Sequence, residues 1–305
     1  MGINLYGILT ILMIAEFIFG NVSNGFIVLT NSIDWVRKRT LSSIGSILLF
    51  LAISRMVLIW EMLLAWLKYM KYSFSFVAGT ELRGIMFTWV VSNHFSLWLA
   101  TILSIFYLLK IASFSRPIFL YLKWRVKKVL LMILLGNLIF LMFNILQVNK
   151  HIEDWMYQFE RNITWNSRVS EYVGFSNLVL LEMIMFSVTP FTVALLSFIL
   201  LIFSLWKHLQ KMHLNSRGER DPSTKAHVNA LRIMISFLLL YATYFISFFI
   251  SLIPTAHKNG LDLMFSLTVG LFYPSSHSFI LILGHSTLRQ ASLCVMTYMK
   301  CRQKH

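Results

Sequence analysis

IGSILLFLAISRMVLIWEMLLAWL, residues 44–67, is apolar throughout apart from a few small polar residues and two charges, Arg55 and Glu61. Coiled as a helix at 1.5 Å per residue, it is long enough to cross the roughly 30 Å hydrocarbon core of a bilayer, which takes about 20 apolar residues. A helix on the surface of a soluble domain would show a polar face over that length, and this one shows none. Working outward, six more stretches of the same kind appear at residues 6–30, 84–109, 129–148, 173–206, 231–254 and 261–283. The fifth in chain order, 173–206, is long enough to project beyond the bilayer. The chain therefore reads as an all-α membrane protein, one seven-helix bundle over residues 1–305 with a tail at 285–305. The connections are too short to hold a second domain.

Composition agrees with this reading. Of the residues 57% are hydrophobic and 13% charged, with a mean hydropathy of +0.70. An ordinary soluble domain carries about twice that charged fraction. The charge is lopsided, with 27 Lys and Arg against 12 Asp and Glu, a formal +15 that needs water or anionic head groups. The two cysteines, Cys294 and Cys301, lie together in the tail, so no disulfide ties distant segments together.

Basic residues in short loops stay in the cytoplasm, and their placement sets the orientation. With the N-terminus outside, the cytoplasmic side receives Arg37, Lys38 and Arg39, and a second loop running from Lys110 to Lys128. It also receives a third loop, from Lys207 and Lys211 to Arg232, and the tail with Arg289, Lys300, Arg302 and Lys304. Lys68, Lys71, Arg83, Lys150, Arg161, Arg168 and Lys258 fall outside, and Arg55 lies within a span. Residues 1–10 carry no Lys or Arg and no cleavage signature follows them, so the first span is expected to be a retained helix rather than a signal peptide. The triplet Asn162-Ile163-Thr164 is a glycosylation acceptor on the side assigned to the exterior.

Polar groups inside a span are functional or structural candidates because hydrocarbon does not solvate them. Arg55 must face the bundle interior, where Asn24 and the Ser275, Ser276, His277, Ser278 run lie at comparable depth. This cluster is either a packing network or one that also rearranges on activation. Pro190 and Pro274 sit mid-span and permit kinks. No internal repeat or matched pair of broken helices is visible, which counts against a transporter or channel. Nor is there a G-x-S-x-G, H-E-x-x-H, Walker A or C-x-x-C pattern, and the scattered histidines show no ligand spacing. No enzyme, metal site or cofactor is indicated.

Several segments together carry a family resemblance: GNVSNGFI (20–27), LAISR (51–55), NHFSLWLATILSIFYLLKIA (93–112), PFT (190–192), KHLQKM (207–212), DPSTK (221–225) and PSSHSFILIL (274–283). In this order, on these spans, the chain resembles the type 2 (bitter) taste receptors, a family of seven-helix G protein-coupled receptors, over essentially its whole length. The resemblance implies a plasma-membrane receptor that admits small bitter compounds to a pocket in the outer half. It further implies activation of a heterotrimeric, gustducin-like G protein and release of intracellular calcium.

Carried over residue by residue, it implies ligand contacts at Trp89, Asn93 and Tyr244, with Glu182 as a candidate carboxylate beside Glu61. It implies an activation network of Asn24, Arg55, Pro274, Ser275, His277 and Ser278, and a G protein face including Tyr107, Lys110, Lys207 and Lys211. Lys110 could equally meet lipid phosphates or simply snorkel to the interface. The chain departs from some members at Leu267, where they carry a carboxylate, and at Ala65, where Asn is frequent. A receptor of the same architecture for another chemosensory cue would differ only in its ligand.

Overall fold

A computed structural model describes residues 2–40, 42–72, 79–112, 114–161, 165–214, 222–251 and 260–302, and every element among them is a helix. In chain order these are α1 (Gly2–Lys38), α2 (Ser43–Tyr72), α3 (Gly79–Ile111), α4 (Pro117–Trp124), α5 (Val126–Arg161), α6 (Trp165–Leu214), α7 (Pro222–Ser251), α8 (Gly260–Gly284) and α9 (Ser286–Arg302). Seven of them, all but α4 and α9, are long and apolar enough to cross a membrane. The chain is an all-α, seven-span membrane protein.

The helices run past the apolar windows read from the sequence. Hydropathy marks where hydrocarbon can surround a helix, but the backbone ladder continues wherever side chains favour it. In α1 the last turn is reinforced by Asp34 and Lys38, 3.4 Å apart at i,i+4. The stretch read as a second loop contains α4, because Pro117 occupies the first turn, where its fixed φ suits a helix and its missing N–H removes no bond. At eight residues α4 is too short to span. The third loop is likewise mostly helical: α6 continues to Leu214 and α7 starts at Pro222, so Lys207, Lys211 and Arg232 ride on helices. Of the tail, Ser286–Arg302 form the helix α9.

α3 is the most enclosed span, packed against α2, α5, α6 and α7, while α8 packs on α1, α2 and α7. Elsewhere large apolar side chains point outward, among them Ile11, Met132 and Met185 at about 70% exposure. Such a surface suits lipid and would drive association in water. α1 and α8 approach closely at Gly20, where a Cβ would lie 2.5 Å from Ser275 Oγ and 2.8 Å from Ile59 Cδ1. Around Pro190 the neighbouring helices supply hydrogen bonds to the backbone. Tyr241 donates to the Ser187 carbonyl at 2.7 Å in the turn before Pro190, and Thr101 donates to the Pro190 carbonyl at 3.1 Å.

Candidate functional site

Trp89, Asn93 and Ser96 follow one another at i, i+4 and i+7, so α3 presents them on one face. Across from them Tyr244 of α7 donates its hydroxyl to Asn93 Oδ1 at 2.9 Å. The Asn93 amide nitrogen has a thioether for a partner, Met183 Sδ of α6 at 3.9 Å. A thioether is a weak acceptor, so this amide can exchange it for a carbonyl or hydroxyl. Trp89 is half-buried and meets Phe248 edge-on at 6.1 Å, and Phe248 in turn lies 4.7 Å from the Tyr244 ring. Three of the four expected ligand contacts are thus gathered in one place, the rings of Trp89 and Tyr244 beside the Asn93 amide.

Glu182 stands apart from them. One residue before Met183, it is turned toward α5 and lies 3.4 Å from His151 Nε2. Glu61 is closer to the cluster, because its carboxylate accepts from Ser92, the residue before Asn93, at 2.7 Å.

The polar residues expected to form an activation network do assemble. Arg55 is fully buried. Its Nη1 donates to Ser278 Oγ at 3.1 Å and its Nη2 to Tyr273 Oη at 3.4 Å. His277 Nδ1 is a further partner of Nη2. Since a guanidinium only donates, Nδ1 accepts and the imidazole proton belongs on Nε2. Asn24 reaches Arg55 through an intermediary: Ser278 donates to Asn24 Oδ1 at 2.6 Å, and Asn24 Nδ2 donates to the Gly20 carbonyl at 2.8 Å and the Pro274 carbonyl at 3.3 Å. Ser275 donates to the Glu16 carbonyl at 3.1 Å, tying α8 to α1. Among the described residues no carboxylate pairs with Arg55. Its charge is held by neutral oxygens, an imidazole and the Tyr273 ring, whose centroid is 5.3 Å from Cζ.

Tyr273 is the residue that sequence reasoning missed. It joins the two clusters, bonding Arg55 on one side and the Ser96 carbonyl on the other at 3.3 Å, while its ring lies 5.3 Å from that of Tyr244. Its spacing four before His277 was an available signal, since i and i+4 share a helix face. The pairing of His151 with Glu182 had no such signal, because it joins two helices.

At the opposite end of α3, Tyr107 is buried and its hydroxyl finds no partner among the described residues. Lys110 is exposed, with Nζ 5.4 Å from the Phe106 ring centroid. His285, between α8 and α9, is held below the ordinary imidazole range by burial and, secondly, by the charge of Lys110. Lys207 is exposed on α6, Lys211 lies on the same helix, and Asn162 falls outside the described residues. Among the described residues no three His, Cys, Asp or Glu side chains come together as metal ligands would.

Comparison with known proteins adds a second line of observation. The profile of the family described as taste receptor protein (TAS2R) matches residues 1–300. A taste receptor type 2 member 13 from Mus musculus is 87% identical over 305 residues, covering 100% of both chains. The protein of that name from Rattus norvegicus is 86% identical over 304 residues, again covering 100% of both. The one from Homo sapiens is 61% identical over 288 residues, 94% of this chain and 95% of its own.

Proposed function

The chain belongs to the taste receptor family (TAS2R), is a bitter taste receptor and not an enzyme, and we propose that it takes its ligands at the Trp89, Asn93 and Tyr244 cluster. The observation that carries this is the Asn93 amide, buried beside aromatic rings and with a thioether as its donor-side partner among the described residues. Small amphipathic compounds fit such a place, with apolar bodies against Trp89 and Phe248 and one polar atom on Asn93. Glu61, and Glu182 if drawn from His151, would serve a cationic ligand.

An acceptor on the ligand that competes for Asn93 disturbs the Tyr244 hydroxyl, whose ring packs on Tyr273, the partner of Arg55. Agonists thereby favour one arrangement of an existing equilibrium, by no more than their difference in affinity for the two states. The favoured state opens the end of the bundle bearing Tyr107, Lys110, Lys207 and Lys211 to a heterotrimeric, gustducin-like G protein, with calcium release downstream. The receptor acts at the plasma membrane with its N-terminus outside and its C-terminus inside.

The test is calcium release in cells expressing the chain with a chimeric G protein, challenged with a diverse panel of bitter compounds. A saturable response that requires the G protein is expected. Trp89→Ala and Tyr244→Ala should shift the agonist response to about tenfold higher concentration or more, the equivalent of one lost hydrogen bond or aromatic contact, at unchanged surface expression. Loss of expression in step with loss of response would remove the pocket assignment. A ligand-gated current without G protein would favour a channel.

A further inference from the structure

A cavity of about 700 Å³ opens where the ends of α2, α3 and α5 meet α4. Its lining includes Lys110, Lys123, Arg125, Lys127 and Lys128, and no Asp or Glu. Where these cations have described partners, the partners are neutral. Lys123 Nζ donates to the Ala112 carbonyl at 2.8 Å, just past the end of α3. Arg125 lies over the rings of Tyr121 and Trp124, at 4.9 and 5.6 Å. The ion pairs found among the described residues lie elsewhere, at Lys38 with Asp34, Arg83 with Glu153 and His151 with Glu182. Five positive charges around one cavity, with no carboxylate in its lining, favour an anion there, and salt weakens that preference.

α4, which forms one wall, says where that anion comes from. None of its residues is buried, and Ile118, Tyr121 and Trp124 are 75%, 54% and 81% exposed. An apolar helix with outward Trp and Tyr beside a basic cavity has the composition of a membrane–water interface, where acyl chains lie against the rings and a head group reaches the cations. The lining takes nothing from α6 or α7. We propose that it is a binding site for the phosphorylated head group of an anionic membrane lipid of the phosphoinositide class. That such lipids meet this end of the bundle rests on the orientation proposed above.

The experiment uses the purified full-length receptor in detergent micelles containing phosphatidylcholine and phosphatidylinositol bisphosphate, with bound lipid counted by native mass spectrometry. Capture from micelles does not depend on orientation, so it can fail or succeed independently of that reading. The bisphosphate lipid is expected to be retained in preference to phosphatidylcholine. The triple variant R125Q/K127Q/K128Q should weaken its retention about tenfold or more, since each basic residue near the surface contributes appreciably to such attraction. R125K/K127R/K128R should preserve it, and so should R289Q/K300Q/R302Q, which removes equal charge from α9.

Equal weakening by both charge-removing triples would reduce the effect to net charge and overturn the site. So would soluble inositol bisphosphate binding as tightly as the lipid, which would make the ligand a free phosphate. Unchanged lipid capture with lost G protein coupling would make the face a protein contact instead. Should the triple variant not fold, a photoreactive phosphoinositide is cross-linked to the unmodified receptor. Label within residues 110–128 supports the site, and label elsewhere overturns it.

Discussion

A guanidinium in the middle of a membrane bundle has five donors and no water to spend them on; Arg55 places three of them on Ser278, His277 and Tyr273, while its Nε finds no partner among the described residues. Replacing Tyr273 by Phe keeps the ring and removes an acceptor from Arg55 and a donor from the Ser96 carbonyl. That should lower stability by about 1–3 kcal/mol, because a buried charged group loses a partner. It should also weaken responses to chemically unrelated agonists by similar factors. Thermal unfolding of the purified receptor and dose–response curves for two such agonists check this, and a shift confined to one agonist would make Tyr273 a ligand contact. Arg55→Ala should impair every ligand alike. Asn24, Arg55, His277 and Ser278 were legible in the sequence because a polar atom in an apolar helix stands out. Tyr273 offered only its i,i+4 spacing to His277, since a tyrosine among Leu, Phe and Gly otherwise looks like packing until its hydroxyl is located.

Glycine separates packing from composition at the scale of elements. Gly20 and Gly25 belong to the same motif in α1, yet a Cβ at Gly20 would meet Ser275 and Ile59, whereas nothing lies within 4 Å of one at Gly25. Without a hydrophobic force between helices in lipid, close packing at small residues such as this is one of the things that hold helices together. Gly20→Val should therefore destabilise the receptor by about 1–3 kcal/mol through overpacking and reduce its surface expression, while Gly25→Ala is neutral or mildly stabilising. Equal expression of the two variants would remove Gly20 as a contact between α1 and α8. The spans themselves were legible because hydrocarbon demands a long apolar run. α4 and the extensions of α5 and α6 were not, because outside hydrocarbon a helix rests on propensity and capping, which amphiphilic stretches show weakly.

For the whole molecule, the asymmetry of charge remains the strongest statement the sequence makes about placement. The ends of α1, α3 and α6 that bear Arg37, Lys110 and Lys207 lie, by alternation of the spans, on one side with the starts of α2, α5 and α7 and with α9. The cost of translocating that many cations is the reason for the orientation proposed above, with this side in the cytoplasm. An epitope added at the N-terminus should then be stained in intact cells, and one at the C-terminus only after permeabilisation. Under that proposed orientation the connection between α5 and α6 lies outside, and Asn162-Ile163-Thr164 is then expected to be open to the glycosylation machinery. Glycosidase treatment should increase the mobility of the unmodified receptor on a gel, and Asn162→Gln should already run at the faster position. A C-terminal epitope stained in intact cells would reverse the orientation. The Lys110 cavity would then face the outer leaflet, away from phosphoinositides, and the G protein face would have to be sought at the other end of the bundle.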